Sequence, residues 1–332
     1  MSEVQDRGST KRLFLKEVDR VEILSLMDNS VDLLSTIDNK DVKPVREWVE
    51  DRKGTDWTER YYRSPSAEHG FSMLIRVTSG GKSHSILFDC GASKEGVVSN
   101  IGKMGLDLSE VETVVLSHSH NDHSGGLLGV LKAINRADMP IIVHEDMFKT
   151  RGVANPDGSV RKRGDFPDED QVKPARYVKT KEPLLLANDG VLVTGEIPRK
   201  MDFEKGFPQQ RVLIEGDWKS DPWVWDDRAI TINVKHKGLV IVSGCAHAGI
   251  INTAINAIQV SGVRNVTAII GGFHLAGGEY EPRINRTVEE LKQLKPKMVV
   301  PTHCSGWRGF YAIRNALPEA CVWNSVGNLY QF

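Results

Sequence analysis

The sequence predicts an α/β sandwich, and three observations carry that expectation. Short apolar runs of strand length alternate with helix-length stretches in both halves of the chain. The densest polar cluster, Ser117 to Gly126, falls just after one such run and just before a helix. The length of 332 residues suits one large domain with insertions better than two independent domains.

Taken in order, residues 1–18 are polar and charged and read as a mobile tail, leaving 19–332 as the domain. Residues 21–26 are a first strand, closed by Asp28-Asn29-Ser30. Residues 33–66 are charged and arginine-rich, an expected surface insertion that is part helical. Strands follow at 71–77 and 85–88, with Gly80-Gly81 as a hairpin turn between them. A helix over 97–104, a strand over 111–116, a helix over 125–134 and a strand over 140–143 complete the first half. Residues 145–228 differ. They hold charge runs (Arg161-Lys162-Arg163, Asp168-Glu169-Asp170), prolines and an aromatic segment from Trp218 to Trp225. They are expected to form a second insertion whose loops cover a site. Alternation resumes with strands at 229–234, 239–242, 266–270 and 298–300 and helices near 249–260 and 283–294.

Composition narrows the function classes. The chain has 43 basic and 44 acidic residues and a formal net charge of -1, so no global field recruits nucleic acid. No stretch approaches the roughly 18 apolar residues of a membrane span. Four cysteines (Cys90, Cys245, Cys304, Cys321) are too dispersed for a disulfide framework. The first twenty residues contain no apolar segment of a secretory signal. The expectation is a cytoplasmic protein acting on a small-molecule substrate, with neither nucleic acid nor membrane as partner and room for a homo-oligomer.

The chemistry concentrates in Ser117-His118-Ser119-His120-Asn121-Asp122-His123-Ser124-Gly125-Gly126. A loop between strand and helix turns several side chains toward one point, which a continuous strand cannot do. Imidazole and carboxylate suit Zn²⁺ and related divalent ions. His118 and His120 share one metal in this reading, and Asp122 with His123 reaches a second. Gly125 and Gly126 let the backbone pass close to the site.

His-x-His-x-Asp-His after a buried strand resembles the signature of the metallo-β-lactamase superfamily. The resemblance implies a four-layer αβ/βα sandwich with one or two metals at the sheet edge. Phe88-Asp89-Cys90-Gly91 matches the family's early strand-end aspartate, which supports the metal loop. Val299-Val300-Pro301-Thr302-His303 matches its last strand and terminal histidine ligand. Cys245 stands where many members carry a bridging aspartate. No histidine occurs in 145–235, so His247, in Gly244-Cys245-Ala246-His247-Ala248-Gly249, reads as the substitute third histidine. Cys245 either ligates as a thiolate or packs as a small apolar residue. Glu68-His69-Gly70-Phe71-Ser72, Gly195-Glu196-Ile197-Pro198-Arg199, Gly271-Gly272-Phe273-His274-Leu275 and Pro301-Thr302-His303-Cys304 resemble a narrower branch. That branch includes dihydropterin (ribofuranosylaminobenzene phosphate) synthase-like proteins of the methanopterin pathway.

The expected ligands are therefore His118, His120, Asp122, His123, His247 and His303, with Cys245 and His69 as further candidates. Asp122 doubles as the group that orients a water nucleophile, and His274 serves as proton donor, substrate contact or further ligand. Zinc is the expected metal, one or two ions, with Mn²⁺ or Fe²⁺ as alternatives. The leading expectation is a hydrolase of an ester, lactone, phosphate ester or aryl halide. A synthase joining a pterin precursor to a phosphoribosyl partner is the alternative, and a binding protein that has kept the site is a third reading.

Overall fold

The computed structural model describes residues 11–332. Two sheets pack face to face. The first has eight strands in the order Arg176–Lys179, Pro140–Val143, Val111–Val115, Lys82–Phe88, Ser72–Ser79, Arg20–Met27, Leu329–Gln331, Val42–Lys43. The second runs Leu184–Leu186, Val191–Val193, Ala229–Val234, Gly238–Ser243, Val266–Gly272, Met298–Thr302, with Glu17–Val18 beside Ala229–Val234.

The strand Gly238–Ser243 shows how the layers are specified. Val240 and Val242 belong to the core between the sheets, while Leu239 and Ile241 belong to the core under the outer helices. A strand covered on both faces needs an unbroken apolar run, and 238–243 supplies one. Helices Val45–Lys53, Gly96–Lys103 and Leu127–Ile134 bury Trp48, Ile101, Leu127 and Val130 against the outer face of the first sheet. Helices Ile250–Ser261 and Ile284–Leu294 bury Ala254, Ala257, Val288 and Leu291 against the second. The result is the four-layer αβ/βα sandwich. Between Ser72–Ser79 and Lys82–Phe88, Gly80 (φ 57°) and Gly81 (φ 78°) make the two-residue turn that requires positive φ at both positions.

Three expectations need correction. The tail was placed at 1–18. Residues 1–10 lie outside the described residues, but 11–18 are part of the fold. The Leu13 amide donates to the Val260 carbonyl, Leu15 is buried, and Glu17–Val18 pairs with Ala229–Val234. The apolar triplet Leu13-Phe14-Leu15, set between charged residues, is too short to show strand or helix periodicity. The insertion at 33–66 contains helices Val45–Lys53 and Thr55–Tyr61, yet it is not purely superficial. Trp48 is fully buried, and its indole N–H donates to the Gly327 carbonyl at 2.7 Å. The insertion at 145–228 holds its own four-stranded sheet, Asp217–Ser220, Gln210–Ile214, Arg151–Ala154 and Val160–Lys162. Its middle portion, however, supplies strands 176–179, 184–186 and 191–193 to the two main sheets, the first two at sheet edges. Most of these strands are short, and one is flanked by lysines and arginines, which masks the alternation that identifies longer strands.

Candidate metal centre

Every candidate ligand except His69 stands at or just beyond the C-terminal end of a parallel strand. Val111–Val115 leads to His118, Gly238–Ser243 to Cys245 and His247, Val266–Gly272 to His274, and Met298–Thr302 to His303. The two sheets present these ends at one edge, so residues 185 positions apart in sequence converge, as His118 and His303 do. Four non-glycine residues there hold left-handed backbone: Asp89 (φ 61°), Ala246 (φ 53°), His274 (φ 47°) and His303 (φ 49°). Such conformations persist where the surroundings over-determine them, and they cluster at functional sites. Gly244 is required by contact. A Cβ there would lie 2.2 Å from Ser117 Oγ, so the Cys245–His247 loop can lie against the histidine loop only with glycine. Gly125 and Gly126 play a related but different part from the one expected. A Cβ on either would strike the backbone carbonyl of Ala92 or Cys90, at 2.1 and 2.0 Å, so they admit a neighbouring loop rather than the metal.

The side chains fall into overlapping groups. His118, His120 and His247 bring ligand atoms within 4.8 Å of one another; Asp122, His123, Cys245 and His303 do the same beside them; Cys245, His247 and His274 form a third set. His120 Nδ1 and His247 Nε2 are 3.1 Å apart, His123 Nε2 and Cys245 Sγ 3.1 Å, and Asp122 Oδ2 and His303 Nε2 3.2 Å. Zinc–nitrogen bonds of about 2.1 Å place tetrahedral donors about 3.4 Å apart, so these spacings suit first-row divalent ions. Cys245 is buried and shared between two sets, which places it for ligation rather than packing alone.

The far nitrogens of four rings are held. Asp89 Oδ2 accepts from His123 Nδ1 at 2.6 Å, Gln210 Oε1 from His120 Nε2 at 3.0 Å, Asn29 Oδ1 from His303 Nδ1 at 3.1 Å, and Ser117 Oγ from His118 Nδ1 at 2.9 Å. Ser117 Oγ in turn donates to Asp89 Oδ2 at 2.7 Å. With those protons fixed outward, the opposite nitrogens point lone pairs inward. Such outer partners orient metal-ligating histidines. His118 Nε2 is buried and has no hydrogen-bond partner among the described residues. A buried orphan is costly, and an ion flanked by three imidazoles is the group that satisfies it. The residues present therefore fit a metal.

Electrostatics agree. Burial lowers His118, His120 and His247 well below the ordinary imidazole range, which keeps them neutral and able to ligate. Burial also takes His303 down to about 4 and His274 down to about 3. His123 runs the other way: burial opposes its charge, but Asp89 and Asp122 outweigh it and raise it. Burial would raise Asp122, yet the surrounding histidines hold its carboxyl far below the usual range. Burial raises the Cys245 thiol, so a thiolate there needs a cation beside it.

Two expectations shift. His274 has both ring nitrogens buried and unpartnered among the described residues, and its neutral ring offers one lone pair and one N–H. Of the expected roles, substrate contact and further ligand suit such a ring, and its place beside Cys245 and His247 suits the ligand role in particular. His69 reaches the rim only. Its ring stacks on His303 at 4.8 Å and its Nε2 is 3.7 Å from Asp122, but it is largely exposed and outside the ligand sets. Sequence reasoning missed four supports: Gln210, Asp226, Asp227 and Glu204. Asp226 accepts the Ser119 amide at 3.0 Å, between His118 and His120. Asp227 accepts the Ala248 amide at 2.7 Å, next to His247. Glu204 accepts the Ile251 and Asn252 amides and so caps the helix that begins after His247. The one available signal was Asp226-Asp227-Arg228 directly before a largely apolar strand.

Comparisons with known proteins come to the same architecture. The profile of the metallo-beta-lactamase superfamily matches residues 66–303. A 7,8-dihydropterin-6-methyl-4-(beta-D-ribofuranosyl)-aminobenzene-5'-phosphate synthase of Methanocaldococcus jannaschii is 34% identical over 261 residues, covering 74% of this chain and 84% of that one. An uncharacterized protein of the same organism is 28% identical over 251 residues, 74% of this chain and 88% of its own length. A solved structure described as a metal-dependent hydrolase of the beta-lactamase superfamily superposes with a TM-score of 0.66 at 21% identity, covering 94% of this chain and 98% of the other. The chain belongs to the metallo-β-lactamase superfamily.

Proposed function

We propose that this superfamily member is a metal-dependent hydrolase that directs an activated water at a small organic substrate. The observation that carries the reading is the pair of adjacent ligand sets, with His118, His120 and His247 in one and Asp122, His123, Cys245 and His303 in the other. Imidazole with one thiol and one carboxylate suits zinc, and Mn²⁺ or Fe²⁺ fits the same donors less selectively. When bound, a divalent ion supplies Lewis acidity that brings a water's pKa toward neutrality and polarises a substrate oxygen.

The chain's own residues do the rest. The Asp122 carboxylate, ionised at any working pH, accepts a hydrogen bond from a water nucleophile and fixes its direction. His274, neutral and with both ring nitrogens unpartnered among the described residues, accepts a proton or contacts the substrate from beside His247, whose ring centroid is 4.2 Å away. Asp226 and Asp227 hold the two ligand loops in register through Ser119 and Ala248. The cavity is about 630 Å³, the size of a small organic substrate.

Purified chain with and without chelator, offered lactones, carboxylic esters, phosphate esters and aryl halides, tests this reading. Turnover of at least one class that disappears with the metal and returns on its re-addition supports it. Turnover that persists after complete metal removal sinks it. A second reading is a synthase that joins a pterin precursor to a phosphoribosyl partner, favoured by the 34% identity to a protein so named. Formation of a coupled product from both precursors, with no hydrolysis of any ester tested, would favour that reading over the first.

A further inference from the structure

The cavity that holds the ligands is also lined by basic side chains, and their charges are unevenly committed. Lys162 pairs with Asp165 at 3.0 Å, Lys149 with Asp146 at 2.8 Å, and Arg151 with Asp226 at 2.8 Å. Lys94, Arg161 and Arg163 line the same cavity and form no ion pair among the described residues. Arg163 is the informative one. Its Nη1 is buried yet has no hydrogen-bond partner, and its guanidinium lies over the Phe207 ring at 5.3 Å from the centroid. Phe207 in turn meets His120, His247 and His274, with centroids 6.0, 5.8 and 6.2 Å apart. The cation is thus held one aromatic ring away from the histidines.

A buried guanidinium donor without an acceptor is expensive unless a ligand supplies one. Among the described residues, Asp122 and Asp165 are the only acidic ones lining the cavity, and the first belongs to the ligand cluster while the second is paired with Lys162. A single carboxylate would neutralise one of the three free cations. A phosphate monoester, with a charge of about −1.5 to −2 and three acceptor oxygens, matches the set better. Leu128, Met147, Phe166 and Phe207 line the same space and would cover an apolar body.

We propose that this cavity binds an organic phosphate, holding the phosphate on Arg163, Arg161 and Lys94 as a handle separate from the bond that reacts at the histidines. The location of the reacting bond rests on the metal-centred reading above; the phosphate site does not. Binding at a group remote from the chemistry lets the enzyme position the reacting end without contacting it more tightly. Arg163, carried by the inserted sheet, is then a specificity-determining residue.

The test is calorimetric titration of the full chain with phenyl phosphate, with benzyl alcohol as the neutral control, before and after chelation. The expected result is binding of phenyl phosphate in both states and none of benzyl alcohol. Arg163→Gln should weaken it at least tenfold in both states, Arg163→Lys less, and the exposed Arg161→Gln severalfold. Metal content should not change in any variant. Unaltered affinity in Arg163→Gln and Arg161→Gln would overturn the proposal, as would binding that vanishes entirely on chelation, since the phosphate would then sit on metal alone. If the chain retained no metal yet bound phenyl phosphate through Arg163, the hydrolase reading would fall and this one would stand.

Discussion

Replacing Asp89 by asparagine changes one atom and should empty one half of the centre. Asp89 Oδ1 accepts the Ser117 amide at 2.7 Å, and Oδ2 accepts both Ser117 Oγ at 2.7 Å and His123 Nδ1 at 2.6 Å. Asparagine keeps the first contact with its carbonyl oxygen. Its amide nitrogen must then face His123 Nδ1, where two donors would collide. The imidazole can escape only by moving its proton to Nε2, the atom that faces Cys245 Sγ at 3.1 Å. A protonated Nε2 cannot ligate. Outer-partner changes of this kind cost 10- to 100-fold in metal affinity, or ~1.4–2.7 kcal/mol. In the His118–His120–His247 set only the His118 anchor is touched, through Ser117 Oγ, while His120 keeps Gln210, so its affinity should fall less. Competitive chelator titration of wild type and Asp89→Asn reads both affinities. One affinity lowered by 10- to 100-fold with the other lowered less is expected. Two unchanged affinities would refute the argument that Asp89 sets the His123 tautomer.

Other perturbations follow from the same geometry. Gln210→Ala frees the His120 ring at Nε2 and should weaken the other metal position by about tenfold, read in the same titration; no change would show that His120 is oriented without it. Glu204 is buried, and burial lifts its carboxyl from 4.5 up to about 7. The folded chain therefore holds this proton more tightly than the unfolded chain. The contribution to stability is full below about pH 4.5, declines as pH rises and is gone above about pH 7, with a size of about 3 kcal/mol. Urea unfolding of Glu204→Gln across that window should lose this slope, and a slope identical to wild type would contradict the assignment. Leu15→Ala should cost about 2–5 kcal/mol, because Leu15 is buried in the outer core of the second sheet; a loss below about 0.5 kcal/mol would mean the segment is peripheral, as surface changes are.

What could be read from the residues alone was what local pattern encodes. His118 to His123 is visible because six adjacent residues carry four potential ligands, three imidazoles and a carboxylate. The strands 111–115, 229–234 and 238–243 are visible because each is mostly apolar and rich in valine or isoleucine. His247 and His303 emerged as expected ligands through family resemblance, and the structure brings them to the cluster. Gln210, Phe207 and Arg163 remained hidden because their roles come from long-range approach. Each lies in an irregular inserted region, and nothing in the neighbouring sequence marks the side chain that turns toward a histidine 90 residues away, as Gln210 does toward His120. Helix Gly306–Ala316 and strand Leu329–Gln331 were missed as well. The strand is three residues long, and it is specified by the slot between Arg20–Met27 and Val42–Lys43 rather than by its own composition.

The account stands on two metal positions built from these seven side chains. Anomalous diffraction at the zinc edge, from crystals of the full chain grown with zinc, tests it most directly. Two peaks are predicted in the cavity, one nearest His118, His120 and His247 and the other nearest Asp122, His123, Cys245 and His303. Full-occupancy zinc elsewhere on the surface, with no peak among these residues, would contradict it.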